Sequence, residues 1–134
     1  MIIVIPSYNR VNILKERTLS LLERHNINKK SINIFVVREE YAKYKNGLHD
    51  DYNIIIGKKG IAEQRGFISD YFQEDEALVS MDDDIKEILE LHEKNDKKYI
   101  KPCIDLSLLI NKTFDEMRQQ NVRMCGFYPV KNAF

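Results

Sequence analysis

Four short runs of apolar, mostly β-branched residues constrain the fold of this chain more than any other feature. Ile2–Ile5 and Ile32–Val37 are continuous apolar runs, which are typical of strands buried on both faces of a parallel sheet. Asn53–Ile56 and Ala77–Met81 predict a third and a fourth strand. Helical patterns separate several of these runs, and this alternation indicates βαβ units. We therefore predict an α/β fold with three layers, α/β/α, around a mainly parallel central sheet.

Three segments carry apolar residues at helical spacing. One covers about residues 13–25 with Asn12 as its N-cap, and another covers about residues 61–73 after Gly60. The clearest helix follows its cap, Asp105. Its apolar stripe consists of Leu106, Leu109, Ile110, Thr113, Phe114 and Met117.

The remaining segments predict irregular structure or short elements. Residues 39–52 indicate a loop with a short helix, and the charged residues 93–101 indicate a second loop. Residues 85–91 fit a strand or a helix equally well. Val122–Phe127 predicts a last strand.

Length and composition fit one soluble domain. The chain has 134 residues, 43% of them hydrophobic and 31% charged, which predicts a single domain over residues 1–134. No run approaches the roughly 20 apolar residues that span a bilayer, and the N-terminus lacks the features of a signal peptide. We therefore expect a cytoplasmic protein without a membrane segment. Cys103 and Cys125 lack metal-ligand spacing and are expected to be free thiols.

The net charge is zero, but the charges are unevenly distributed. Residues 1–66 carry 12 Lys and Arg against 7 Asp and Glu, whereas residues 67–134 carry 9 against 14. This asymmetry suits an anionic ligand bridged to a metal, and it is equally compatible with ordinary solvated faces. It does not resemble the strongly basic surface of a dedicated nucleic-acid-binding domain.

Polar segments follow three of the predicted strands at their carboxyl ends. They are Pro6–Arg10, Arg38–Glu40 and Asp82–Asp84. Ligands of open α/β sheets bind in the crevice beyond these strand ends. We therefore expect the three segments to converge on one edge of the sheet and to form the functional site.

The acidic triplet Asp82–Asp84 is the sharpest local feature. Three adjacent carboxylates repel one another, and a divalent cation with a preference for oxygen ligands, Mg²⁺ or Mn²⁺, removes that repulsion. On an extended backbone Asp82 and Asp84 would point to one side and Asp83 to the other. A solvated acidic turn would have the same sequence, but its position directly after a buried strand favours the metal.

Two arginines are candidate partners for a diphosphate, because a guanidinium group holds two phosphate oxygens at once. Arg10 follows the first strand, and Arg65 lies in the first turns of the helix after Gly60. Arg65 also fits a plain surface position on an amphipathic helix. Tyr8 fits two roles, stacking on a base or shielding the sheet edge.

Four of these segments together resemble the glycosyltransferase superfamily of GT-A (Rossmann-like) fold, especially its family-two-like enzymes. The segments are IIVIPSYNR, INIFVV, GIAEQRGF and LVSMDDD, and their order and spacing over roughly residues 1–84 match that group. The resemblance implies a nucleoside pocket, a diphosphate site and a D-x-D metal site. The implied nucleotide-sugar-binding residues are Pro6, Ser7, Tyr8, Arg10, Glu39, Arg65, Asp82 and Asp83, with the metal at Asp82 and Asp84.

The implied activity is metal-dependent, inverting transfer of a sugar from a nucleoside-diphosphate sugar, most simply a UDP-sugar, to an acceptor hydroxyl. Residues 36–46 and the C-terminal segment also resemble a smaller group of viral and DNA-base-modifying glycosyltransferase-like proteins. That resemblance adds a modified DNA base to the candidate acceptors and the host cytoplasm to the candidate locations.

The chain departs from the family in two respects. Many relatives have Val-Asp-Asp after the second strand, where this chain has Val-Arg-Glu-Glu, which weakens the assignment of Glu39 to base recognition. Only 50 residues follow Asp84, so the acceptor-binding portion is expected to be short or missing, and no catalytic base is identified.

Three other functions stay open. A non-catalytic nucleotide-sugar-binding domain fits the short C-terminal part. A nucleotidyltransferase also uses carboxylates and a metal, but it usually has a glycine-rich loop after the first strand, and PSYNR contains no glycine. A phosphohydrolase with an aspartate nucleophile would place that residue where this chain has Pro6 and Ser7.

Overall fold

The computed structural model describes residues 1–127, and the chain divides into two compact units, residues 1–104 and residues 105–134. The first unit contains β1 (Ile2–Pro6), α1 (Val11–Leu14), a π-helical stretch (Lys15–Leu19), α2 (Ser20–Arg24), β2 (Ile32–Val36), α3 (Tyr41–Gly47), β3 (Asn53–Ile56), α4 (Ile61–Tyr71), β4 (Leu78–Ser80), β5 (Leu89–Lys94) and β6 (Lys97–Pro102). The second contains α5 (Leu106–Gln119).

The central sheet has four strands in the order β3-β2-β1-β4, and all of its pairs are parallel. The prediction of a mainly parallel sheet in an α/β fold is therefore confirmed, and the arrangement is compatible with a Rossmann-like fold. The chain moves outward from β1 to β2 and β3, then returns to the opposite side of β1 as β4. This reversal creates a switch point between β1 and β4, the place where open α/β sheets bind ligands.

The sheet is buried on both faces near its centre. Val4 of β1 and Phe35 of β2 pack with Ile68 of α4 in one hydrophobic cluster. Phe35 also makes edge-to-face contacts with three aromatic rings of the α4 segment, those of Phe67, Tyr71 and Phe72. Ile3 and Ile5, which alternate with Val4 along β1, are fully buried on the other face. This two-sided burial explains the continuous apolar runs of the sequence.

The first helical segment begins earlier than predicted and changes its winding. The backbone N–H of Leu14 donates to the carbonyl of Arg10, so Arg10 is the N-cap and Asn12 lies inside the first turn. Five residues, Lys15–Leu19, then form a π-helix before α2. Single π-helical turns inside α-helices occur frequently at functional sites.

A β-hairpin replaces the predicted charged loop at residues 93–101, so that prediction was wrong. Strands β5 and β6 pair antiparallel around Asn95 and Asp96, which have φ angles of 52° and 59°. Two consecutive positive φ angles match a type I′ turn, which Asn and Asp tolerate. The charged residues form cross-strand pairs, Glu93 with Lys98 and Glu90 with Lys101, which hid the strand pattern in the sequence.

In the second unit, the predicted helix cap is confirmed. The Asp105 side chain accepts a hydrogen bond of 2.9 Å from the backbone N–H of Leu108. The predicted strand at Val122–Phe127 was wrong, because these described residues are exposed and form no strand. No helix within residues 1–127 is long and apolar enough to cross a bilayer.

Candidate functional site

Two loops meet at the switch point because backbone hydrogen bonds extend the parallel sheet past its strands. The N–H of Ser7, just after β1, donates to the carbonyl of Phe35 at 3.0 Å. The N–H of Met81, just after β4, donates to the carbonyl of Val4 at 3.0 Å. The predicted convergence of the segments after the first and fourth strands follows from this geometry.

A chain of hydrogen bonds, which we call the hydroxyl relay, links the two loops below the surface. The backbone N–H of Arg10 donates to the Tyr44 hydroxyl oxygen at 3.0 Å. The Tyr44 hydroxyl lies 2.7 Å from Ser7 Oγ, and Ser7 Oγ donates to Asp83 Oδ2 at 2.8 Å. Since the single Ser7 hydroxyl proton points to the carboxylate, Tyr44 must be the donor to Ser7. Tyr44, Ser7 and Asp83 are all buried.

Both predicted cationic partners lie against the acidic triplet. Arg10 Nη1 is 2.9 Å from Asp83 Oδ1 and 3.3 Å from Asp84 Oδ2. Arg65 Nη2 is 3.0 Å from Asp82 Oδ1. The hydrogen bond and the charge of Asp83 raise the pKa of Arg10, so its guanidinium stays charged. Both arginine side chains are half exposed, and such ion pairs are weak enough to exchange partners.

The three aspartates occupy different environments. Asp83 turns inward, with 8% of its side chain exposed, and both of its oxygens accept hydrogen bonds, from Ser7 and Arg10. The side chains of Asp82 and Asp84 are 66% and 41% exposed. The backbone is not the extended chain assumed from the sequence, because β4 ends at Ser80 and Asp83 begins a turn. Asp83 Oδ1 and Asp84 Oδ2 both contact Arg10 Nη1, whereas Asp82 contacts Arg65, so the expected grouping of Asp82 with Asp84 on one side is not seen.

Thr18, within the π-helical stretch, forms hydrogen bonds with the backbone of the acidic turn. Its Oγ1 donates to the carbonyl of Asp82 at 2.7 Å and accepts from the N–H of Ile85 at 2.9 Å. Thr18 is fully buried. One hydroxyl therefore fixes both sides of the turn that carries the aspartates. Its sequence position gave no signal of this role, because the contact spans 64 residues.

The loop before α4 positions Arg65. The buried Gln64 side chain accepts a hydrogen bond of 2.7 Å from the N–H of Lys58. A Cβ atom at Gly57 would lie 2.0 Å from Gln64 Oε1, so a larger residue there would displace the Gln64 side chain from this hydrogen bond. Gly60, with φ 96°, begins the helix. Arg65 follows Gln64 directly and reaches the acidic triplet from this rigid start.

The remaining predicted residues differ in their placement. Pro6 ends β1 in register with Phe35, and the Tyr8 side chain is largely exposed, so both of its predicted roles stay open. Glu39 is exposed in a short 3₁₀-helix. Its neighbour Glu40 instead contacts the site, because it accepts the backbone N–H of Asn9 at 2.8 Å.

Asn9 has a positive φ of 54°, and the contact with Glu40 holds this conformation. Lys43 also donates to the Asn9 side chain at 3.1 Å. Glu40, Lys43 and Tyr44 were not predicted as site residues. Glu40 belongs to the segment Arg38–Glu40 that was expected to converge on the site, whereas Lys43 and Tyr44 lie beyond it in α3.

The carboxylates fit a shared metal site better than a metal held by the protein alone. Among residues 1–127, no group of three or more His, Cys, Asp or Glu side chains is arranged to hold a metal ion. Asp83 has both oxygens engaged, which leaves Asp82 and Asp84 as donors. Magnesium is commonly held by one or two carboxylates together with substrate phosphates. Each of these two carboxylates also contacts an arginine, Asp82 with Arg65 and Asp84 with Arg10, so a cation held there would share them with these ion pairs.

Comparison of the chain with models of known protein families, with curated proteins and with solved structures finds no match. The site at the switch point combines two guanidinium groups, two exposed carboxylates and an exposed tyrosine ring at one edge of a parallel sheet.

Proposed function

We propose that the chain is the nucleotide-sugar-binding domain of a metal-dependent, GT-A-type glycosyltransferase. The observation that carries the proposal is the meeting of Arg10, Arg65 and the acidic triplet where the loops after β1 and β4 converge. A nucleoside-diphosphate sugar, with UDP as the simplest nucleotide, is the ligand class that matches this combination.

The charges of the site support a diphosphate bound together with a cation. Asp82 pairs with Arg65, and Arg10 is shared between Asp83 and Asp84, so two arginines face three aspartates. A diphosphate gives the arginines a further anionic partner, and a metal gives the carboxylates a further cation. Since the charges of a divalent cation and of a diphosphate offset each other, the two ligands bound together change the net charge of the site less than either ligand alone. Binding of metal and of diphosphate should therefore be mutually dependent.

The proposed reaction is displacement at the anomeric carbon. The bond from that carbon to the diphosphate oxygen breaks, an acceptor hydroxyl oxygen bonds to the opposite face, and a base takes the hydroxyl proton. When bound at Asp82 and Asp84, Mg²⁺ or Mn²⁺ would neutralise charge that develops on the leaving diphosphate. Arg10 and Arg65 stabilise the same negative charge through hydrogen bonds. The acceptor hydroxyl stays open, with a modified DNA base among the candidates.

A non-catalytic nucleotide-sugar-binding domain is the second candidate, and the acids of residues 105–127 favour it. Asp105 caps α5, and Asp115 forms an ion pair with Arg118 on the same helix. Both carboxylates thus have local structural partners. Hydrolysis of a UDP-sugar by the purified chain would distinguish an enzyme from a binding domain.

Thermal unfolding with UDP, UDP-sugars, ATP and CTP, each with and without Mn²⁺, tests the proposal. We expect Mn²⁺ alone to give little stabilisation and UDP with Mn²⁺ to give a clear one. A ligand at 100 times its Kd stabilises a protein by about 2.7 kcal/mol. Asp84→Ala should abolish the metal-dependent part of this shift, because it removes a proposed metal ligand.

Asp70→Ala provides a matched control, since Asp70 is an exposed aspartate on α4. It should preserve the full shift with UDP and Mn²⁺. The proposal fails if no nucleoside diphosphate stabilises the chain, or if Asp84→Ala and Asp70→Ala respond alike.

A further inference from the structure

We propose that the Tyr44 hydroxyl is a positioning group that aims the Arg10 guanidinium at the ligand's diphosphate. The inference rests on the proposed function and deepens it, since Tyr44 touches neither substrate nor metal in this assignment. Its role would be exerted through the hydroxyl relay, which fixes the loop after β1 against the loop after β4.

The geometry gives Tyr44 control over both ends of Arg10. Its hydroxyl oxygen accepts the Arg10 backbone N–H directly, at 3.0 Å. Through Ser7 it orients Asp83, whose second oxygen holds Arg10 Nη1 at 2.9 Å. The Tyr44 hydroxyl thus contacts the backbone of Arg10 directly and its side chain through Ser7 and Asp83.

The direction of the relay requires a neutral tyrosine. Tyr44 must keep its proton to donate to Ser7, which in turn donates to Asp83. Burial raises the pKa of Tyr44 above its usual value, although its hydrogen bonds with Ser7 and with the Arg10 backbone act in the opposite direction. The hydroxyl therefore remains a donor at neutral pH, and the relay keeps a single orientation.

Loss of the hydroxyl should weaken anion binding more than it disturbs the fold. Phenylalanine keeps the ring of Tyr44 in the core, so packing is retained. Arg10 would lose its backbone anchor, and the Ser7 hydroxyl would lose the donor that orients it. A side chain that must be ordered on binding costs affinity that a pre-oriented one does not.

Tyr44→Phe and Tyr52→Phe form a matched pair for the test. Tyr52 is also buried, and its hydroxyl donates to Glu23, which is not part of the hydroxyl relay. Both substitutions remove one phenolic hydroxyl and keep the ring; the hydroxyl of Tyr44 makes two hydrogen bonds, with Ser7 and the Arg10 N–H, and that of Tyr52 makes one, to Glu23. We expect Tyr44→Phe to weaken UDP binding with Mn²⁺ about tenfold by titration calorimetry, which corresponds to about 1.4 kcal/mol. Tyr52→Phe should bind UDP like the unsubstituted chain.

Three further readouts separate positioning from a general structural effect. The loss should be larger for UDP than for UMP, because Arg10 is assigned to the diphosphate. Tyr44→Phe should have no additional effect in an Arg10→Ala background. Ser7→Ala interrupts the hydroxyl relay at a second point and should weaken UDP binding in the same direction.

Hydrogen exchange of the Arg10 amide, followed by NMR, reports the hydroxyl relay without any nucleotide. It should accelerate in Tyr44→Phe and not in Tyr52→Phe. If the unsubstituted chain does not bind UDP, the proposed function and this inference both fail. If it binds UDP but Tyr44→Phe keeps full affinity, or adds independently to Arg10→Ala, only the positioning role is rejected.

Discussion

Three chemically identical neighbours, Asp82, Asp83 and Asp84, have separate roles in this structure. Asp83 is buried, and its two oxygens accept from a serine and an arginine, so it acts as an internal anchor. Asp82 and Asp84 remain exposed enough to meet a ligand. The sequence predicted that the middle aspartate would differ from its neighbours. Its partners depend on tertiary contacts across more than 70 residues and were not predictable.

Replacement of Asp83 should lower stability more than replacement of Asp84. In Asp83→Asn the new amide NH₂ faces the donors Ser7 and Arg10, so one buried acceptor is lost. A buried group left without its partner costs about 1–3 kcal/mol, more when a charge is involved. Asp84→Asn lies at the surface and should change the free energy of unfolding by less than about 0.5 kcal/mol.

Urea unfolding of Asp83→Asn and Asp84→Asn in the absence of ligand measures this difference. Titration with UDP and Mn²⁺ should show the larger loss of affinity in Asp84→Asn, because Asp84 is a proposed metal ligand. Equal losses of stability would contradict the assignment of Asp83 as an internal anchor.

At the scale of elements, the π-helical stretch and the acidic turn form one unit through Thr18. A π-helical turn inserts a residue into an α-helix and redirects the side chains that follow. Here it accompanies the placement of a fully buried hydroxyl between Asp82 and Ile85. The conformation of the acidic turn therefore depends on a helix that is more than 60 residues distant in the chain.

Thr18→Val should loosen this turn while preserving side-chain shape. The substitution leaves the Asp82 carbonyl and the Ile85 N–H without their partner, at a cost of about 1–3 kcal/mol. Urea unfolding measures the loss, and faster exchange of the Ile85 amide locates it. Thr113→Val is the control, because Thr113 donates only to the Leu109 carbonyl one turn earlier in α5. If the Ile85 amide exchanged its hydrogen equally fast in both variants, Thr18 would not be the residue that fixes the acidic turn.

Strands with a strong apolar run were predictable, and elements with a polar surface were not. Asn53–Ile56 agrees with the prediction at both ends, and α5 begins after its predicted cap. The β5–β6 hairpin was missed because half of its strand residues are charged, which favoured a loop over the alternation of apolar and polar residues expected of a strand. The prediction of Asn12 as the N-cap was wrong: the helix begins at Val11, which is buried, and Arg10 is its N-cap.

For the whole molecule, parallel strand order explains why the site could be located before its contacts were known. Carboxyl ends of parallel strands share one edge, so segments after the first and fourth strands had to approach one another. The hydroxyl relay could not be predicted from strand order, because the sequence indicated only a loop with a short helix where α3 lies. Its tyrosine reaches the switch point because the helix packs against β3 and α1.

Low pH should reduce the free energy of unfolding through the cluster formed by Glu23, Lys29 and Tyr52. A hydrogen bond from Lys29, and a second from Tyr52, lower the pKa of Glu23 despite partial burial. Because the pKa of Glu23 is lower in the folded state, its ionised carboxylate stabilises the fold at pH values above the ordinary pKa of a glutamate. This stabilisation is lost as the pH falls through the pKa that Glu23 has in the folded state. Solvent screening limits it to less than about 1 kcal/mol.

The free energy of urea unfolding between about pH 6 and pH 3 tests this linkage. Glu23→Gln should unfold more easily at neutral pH and show a flatter acid limb than the unsubstituted chain. Glu74→Gln, an exposed glutamate after α4, should leave the curve unchanged. An unaltered acid limb in Glu23→Gln would exclude this cluster as a source of the pH dependence.

Ser7, Tyr44 and Asp83 have an evolutionary consequence as well. They come from distant parts of the chain, yet the Ser7 hydroxyl forms hydrogen bonds with both of the others. A descendant that loses one member leaves at least one buried partner with a hydrogen bond unmade, so a second change at that partner would then be favoured. In any set of related chains, substitutions at these three positions should occur jointly, whereas Asp84 should vary with the ligand that the chain accepts.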